Sequence, residues 1–183
     1  MTRPEPRAAT ATILGLALTL FWIGLLVGVS FLATPAKFLA PSLSLPVALD
    51  VGRYTFGLLS KLEWLLTGAL LTLLLFQPRS GVAITSGVVL ALLVVLEAAW
   101  LLPVLDQRVE LILAGQQPPA SKFHDIFIGI EIVKLLALGV IAFAMGGQLG
   151  RQFYWNRHER AGSDVISGRV PAAARAVPQD HQA

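Results

Sequence analysis

Four apolar runs separated by polar segments set the pattern of this chain. Ala11–Thr34 carries no charge, and Phe56–Phe76 is broken only by Lys61 and Glu63. Val82–Leu102 holds the single charge Glu97, and Ile126–Met145 holds Glu131 and Lys134. A bilayer core of ~30 Å is crossed by about 20 apolar residues in a helix, and each run is long enough. Lipid offers no partner to open backbone groups, and four strands cannot close a barrel, so the runs are predicted to be helices. Every proline lies outside them, as helix punctuation requires. The chain reads as all-α, a four-transmembrane-helix bundle.

The same pattern predicts helical extensions at one end. Pro46, after Ser44 and Leu45, suits the first turn of a helix, and VALDVGRYTFGLLSKLEW then runs unbroken into the second span. Pro103 is expected to bend the third helix, with VLDQRVELILA continuing it to a stop at Gly115. Ser121 is the expected N-cap of the fourth. A short loop at Gln77–Ser80 makes spans two and three antiparallel neighbours. The first run is too long for the h-region of a signal peptide and no clear A-x-A site follows, so it is read as a retained span. Residues 1–10 then form an N-terminal segment, 11–150 the transmembrane domain and 151–183 a tail. That tail opens with RQFYWNRHER, an interfacial anchor of aromatics among arginines, and is expected to be disordered from Gly162 onward.

Composition sharpens the class. The chain is 55% apolar and 14% charged, against nearer half and a quarter in soluble domains. An ordinary soluble enzyme, a disordered regulator and a nucleic-acid-binding module are excluded. The absence of Cys removes disulfides, Cys-ligated zinc and iron–sulfur clusters. The end bearing both termini carries Arg3, Arg7, Arg79, Arg151, Arg157 and Arg160. The other end has Lys37, Arg53, Arg108 and Lys122 among Asp50, Asp106, Glu110 and Asp125. By the positive-inside rule both termini face the cytoplasm, and the helical extensions lie on the non-cytoplasmic side. The expected setting is the cell inner membrane, with the bilayer as partner and a homo-oligomer or a membrane complex as further possibilities.

Candidate chemistry lies in the intramembrane charges. A charge at mid-bilayer costs at least ~2.5–3.5 kcal/mol on insertion scales, so such residues face the bundle interior and are functional candidates. Glu63, Glu97, Glu131 and Lys134 qualify. With a ~1.5 Å rise per residue counted from the outer helix ends, all four fall within a slab of ~11 Å, Glu97 deepest. His124 and Glu131 stand ~20° apart on one helix face, and Lys134 ~60° from Glu131. A polar interior is expected to run from an outer mouth of Arg53, Asp106, Arg108 and His124 down to Glu63, Glu97 and Lys134. Glu97 is taken as its centre and Lys134 as the partner of Glu97. Lys134 clasped to one glutamate is the plain packing alternative. It leaves two carboxylates over, and a proton, a metal ion or a cationic ligand would then balance the set.

Weaker signals add little. Gly24-Leu-Leu-Val-Gly28 is a GxxxG helix-packing face, and Trp22, Trp64 and Trp100 read as bundle filling. One histidine near the outer face excludes bis-His haem within the chain. Span four offers Glu131-Ile-Val-Lys134 where a ferritin-like di-metal site needs Glu-x-x-His. A mixed metal site from His124, Glu131 and another glutamate stays open. The residues name no cofactor.

Phe31-Leu-Ala-Thr-Pro-Ala-Lys-Phe38 ends span one, and Gly52-Arg53-x-x-Phe56 enters span two. Leu102-Pro-Val-Leu-Asp-Gln-Arg108 and the His124 opening of span four complete a pattern over roughly residues 11–146. It resembles a broad group of small bacterial four-span membrane proteins, similar in layout to anthrone-oxygenase-like and copper-resistance-D-like bundles. Glu97, Glu131 and Lys134 are not a signature of those groups, so the resemblance carries over no catalytic residue. Three functions stay open: a small transport or ion/proton-coupled protein, a membrane oxidoreductase or oxygenase-like protein binding a quinone-like or aromatic ligand, and a structural or assembly subunit. The first predicts a cavity reaching water, the second an apolar pocket beside the charges, the third fully paired charges.

Overall fold

The computed structural model describes residues 6–77 and 80–166, and no strand occurs among them. Four helices are long and apolar enough to cross a membrane: α1 (Ala8–Phe38), α2 (Leu45–Leu75), α3 (Gly81–Leu113) and α4 (Phe123–Tyr154). That is the architecture of a multi-pass membrane protein. The last helix continues without a break to Ile166, past Gly162 where composition alone predicts the onset of disorder. Residues 167–183, on which the rest of that expectation falls, lie outside the described residues, as do Arg3 and Arg79.

Helix ends follow local chemistry. Ser44 precedes α2 with an extended backbone, and Pro46 sits in its first turn, where a missing N–H costs nothing. The Ser80 hydroxyl caps α3 by accepting from the Ala83 N–H at 3.4 Å. α3 stops in a Schellman turn. Gly115 takes φ +76°, its N–H bonds the Ile112 carbonyl at 3.0 Å, and Gln116 bonds Leu111 at 2.9 Å. The first bond of α4 is accepted by the Lys122 carbonyl, 3.0 Å from the Ile126 nitrogen. Lys122, not Ser121, thus occupies the cap position, one residue further on.

Two helices are not α-helical throughout. Val27–Ala33 of α1 and Glu97–Leu101 of α3 are π-helical. In each case a proline follows two residues after the π segment, Pro35 and Pro103. A proline ring crowds the carbonyl four residues back and lacks its own N–H. The wider turn relieves both, and the N–H of Thr34 reaches the Val29 carbonyl while that of Leu102 reaches Glu97. The bend expected at Pro103 is therefore taken up as a π turn just before it.

The helices pack as an antiparallel ring in chain order. α4 lies against α1 and α3, and α2 lies against the same two, so α2 and α4 face each other across the diagonal. The outside is apolar: Leu65, Leu75, Leu92, Leu136 and Phe143 are among the exposed side chains. In water such a surface would aggregate, whereas in lipid it needs no partner. Inside, one apolar core holds Trp22, Leu66, Leu70, Leu90, Leu138 and Ile141. A second, smaller one holds Leu101, Phe127 and Ile130. Glu63, Glu97 and Lys134 share a helix face with core residues three or four positions away on either side, because i, i+3 and i+4 lie together. The charged residues therefore form a polar layer between two apolar ones.

Candidate functional site

Four helices contribute to that layer. Lys134 extends from α4 across the bundle, and its Nζ lies 2.8 Å from Glu63 Oε1, 2.7 Å from Glu97 Oε2 and 2.6 Å from Glu131 Oε1. Glu63 Oε2 is also within 3.0 Å. Glu63, Glu97, Glu131 and Lys134 are all at most 2% exposed. The charges that the sequence places at one depth therefore do meet. Lys134 serves all three glutamates, however, and is not reserved for Glu97.

The three carboxylates are held differently. Glu63 is the best satisfied: it accepts N–H bonds from Lys134 on both oxygens. It also accepts the indole N–H of Trp22 at 3.2 Å. Glu131 accepts the Ser30 hydroxyl on Oε2 at 2.8 Å. Glu97 Oε2 and Glu131 Oε1 are held by their ionic contacts with Lys134, and among the described residues neither oxygen has another partner. Both π turns adjoin this layer: Glu97 opens the one in α3, and Ser30 lies inside the one in α1.

Trp22 and Ser30 are the site residues that sequence reading misses. Trp22 reads as filling, and it is fully buried, yet its N–H orients Glu63. A buried indole needs an acceptor, and that is the signal that could have found it. Trp64 and Trp100 do not fill the bundle, being 49% and 43% exposed. The signal for Ser30 is its spacing, four residues after Leu26 and eight after Trp22, which places it on the same inward face. Gly24 and Gly28 close no contact within the chain, since a Cβ at either would meet nothing within 4 Å.

The expected outer mouth is present in part. Arg53 pairs with Asp50 at 3.1 Å, as i, i+3 spacing predicts, and reaches Glu110 on α3 at 3.2 Å. A cavity of about 100 Å³ is lined by Arg53, Asp106, His124, Lys37 and Phe56 among others. Arg108 does not join it: its guanidinium donates to the Pro119 carbonyl at 2.6 Å, tying the α3–α4 loop instead. Lys37 takes a place there that the sequence does not assign. Its ammonium packs so closely on Gly52 that a Cβ there would collide with it.

A second cavity, of about 290 Å³, continues inward between α1 and α4. Thr34, Phe38, Phe56, His124 and Phe127 line both. The second is also walled by Ser30 and Glu131. It joins exposed His124 to the buried layer. Its walls are otherwise mainly aromatic and aliphatic. Among the described residues the group placed to hold a metal ion is Glu63, Glu97 and Glu131, whose oxygens lie within 4.8 Å of one another. The Lys134 ammonium contacts all three of these carboxylates. His124 is not in that group, so the mixed His124–Glu131 set is not assembled here. No protein-family model, curated protein or solved structure matches this chain, and its function is read from the site itself.

Proposed function

We propose that this is a small proton- or cation-coupled membrane protein whose exchange site is Glu63, Glu97, Glu131 and Lys134. Charge balance carries the proposal: three carboxylates meet one ammonium in a layer closed to solvent. Fully ionised, that layer would hold two uncompensated negative charges, each costing several kcal/mol to bury. One or two exchangeable protons, or a cation, make up the difference. Three carboxylates share one ammonium, so a proton is carried on a carboxylate oxygen turned away from Lys134, and the cavity from His124 to Glu131 supplies a path. A clasp evolved for packing alone needs one carboxylate for its ammonium.

Infrared difference spectra between acid and alkaline buffer, recorded on purified protein in lipid, test this. A protonated-carboxyl band is expected in the parent protein, shifted or diminished in Glu97→Gln. A parent spectrum without such a band would overturn the proposal.

The apolar wall beside Glu131 favours one second reading, an oxidoreductase or oxygenase-like protein holding a quinone-like or aromatic ligand. Extraction of the protein from native membranes checks it, a stoichiometric quinone being the supporting result. For location we propose the bacterial inner membrane with both termini cytoplasmic, on the arginine distribution. Reporter fusions after Arg79 and at Ala183 are expected to report cytoplasm, and a periplasmic signal from either would reverse the topology.

A further inference from the structure

We infer that the cavity between α1 and α4 binds a small hydrophobic cation, an ammonium bearing one aromatic ring, which exchanges against a proton of the buried layer. This rests on the exchange site proposed above and names what enters it. Phe31, Phe38, Phe56 and Phe127 stand around the cavity, with Glu131 at its inner wall. No Lys or Arg lines it. Ring faces are electronegative and attract cations within about 6 Å, and Glu131, one of three carboxylates sharing the Lys134 ammonium, brings the layer's surplus negative charge to the cavity wall.

The rings already show this chemistry. Lys37 Nζ lies 5.1 Å from the centroid of Phe38 and 5.9 Å from that of Phe56. No described carboxylate pairs with Lys37, so a cation of the protein itself rests on two rings that also wall the cavity. Phe56 and Phe127 meet edge to face at 4.8 Å, which keeps their mutual angle fixed. A cavity of about 290 Å³ is at the small end of ligand pockets, which limits the guest to one ring and a compact head group. An anion is disfavoured by the same carboxylate, and a neutral guest gains nothing from it.

Exchange is balanced in charge: one cation enters as one proton leaves the Glu63–Glu97–Glu131 set, Lys134 keeping its charge. Other groups facing Glu131 are the Ser30 hydroxyl from α1 and, through the cavity, His124. Lys37, Arg53 and Asp106 stand in the adjoining outer cavity. Binding should therefore tighten as protons are withdrawn.

Equilibrium dialysis of benzyltrimethylammonium against the full chain in lipid nanodiscs tests this, with neopentylbenzene as the uncharged isostere. One saturable site per chain is expected, about tenfold or more tighter in alkaline than in acid buffer, with neopentylbenzene failing to compete. Glu131→Gln is expected to weaken binding by about tenfold or more. Ile128→Trp, which fills the cavity from its rim without touching the charges, is expected to abolish it. Absence of saturable binding, equal competition by neopentylbenzene, or unchanged binding in Ile128→Trp would each overturn the inference. A carboxyl band in the infrared without binding removes only this ligand class. Binding that is insensitive to pH, with no band, removes the proton exchange itself.

Discussion

Lys134→Met is expected to leave little folded protein after extraction in detergent. The substitution keeps a long side chain but removes the one cation that three buried carboxylates share. Breaking a buried pair by deleting one partner costs about 3–5 kcal/mol, and here three partners are stranded together. Restoring neutrality should restore the fold. The quadruple variant Lys134→Met with Glu63→Met, Glu97→Met and Glu131→Met is expected to recover much of the parent's thermal stability, since hydrophobic replacements of similar volume for a buried ionic set are often neutral. It should at the same time lose proton uptake and ammonium binding. A stable Lys134→Met single variant would show that the carboxylates do not depend on the ammonium.

Glu63→Ala is expected to be the most damaging of the single glutamate replacements, at about 3–5 kcal/mol in thermal or denaturant unfolding. It removes both oxygens bonded by Lys134 and leaves the Trp22 N–H buried with no acceptor. Trp22→Phe isolates the second part. It keeps most of the packing and deletes one bond to a charged acceptor, worth about 1.5–3 kcal/mol. Glu97→Gln should be the mildest of the set, because among the described residues Glu97 is held by its ionic contact with Lys134 alone, with no neutral donor such as Trp22 or Ser30 on it. If Glu97→Gln destabilised more than Glu63→Ala, the unequal support of the three carboxylates would not be what holds this layer.

Much of this was legible from residue order. The spans follow from charge-free length, and the meeting of Glu63, Glu97, Glu131 and Lys134 follows from helix rise alone, because buried charges in lipid must find each other. The Pro46 start and the Gly115 stop have local causes and are read locally. What fails is the choice of partner among polar groups on one face. Ser30, which bonds Glu131, lies four residues beyond buried Leu26 and eight beyond buried Trp22, so its inward facing was open to helix spacing, while its choice of partner was not. Arg108 fails for another reason: a free carbonyl in the Pro118–Pro119 loop competes for its guanidinium, and loop geometry carries no period. Trp22 was legible only in volume, its N–H being invisible to a hydropathy pattern.

The widened turns also divide the chain into two registers. A π turn amounts to one residue inserted into an α-helix, so everything beyond it is rotated by ~100° relative to a continuous helix. In α1 and α3 this offset falls between the inner core and the segments carrying Lys37 and Asp106. The inner halves can keep their packing while the outer halves aim independently. Deleting a single residue at either offset would leave the core sequence unchanged and swing the entrance residues onto a different face. The aim of the entrance thus rests on the residue count before Pro35 and Pro103, a property separate from the identity of any side chain that lines it.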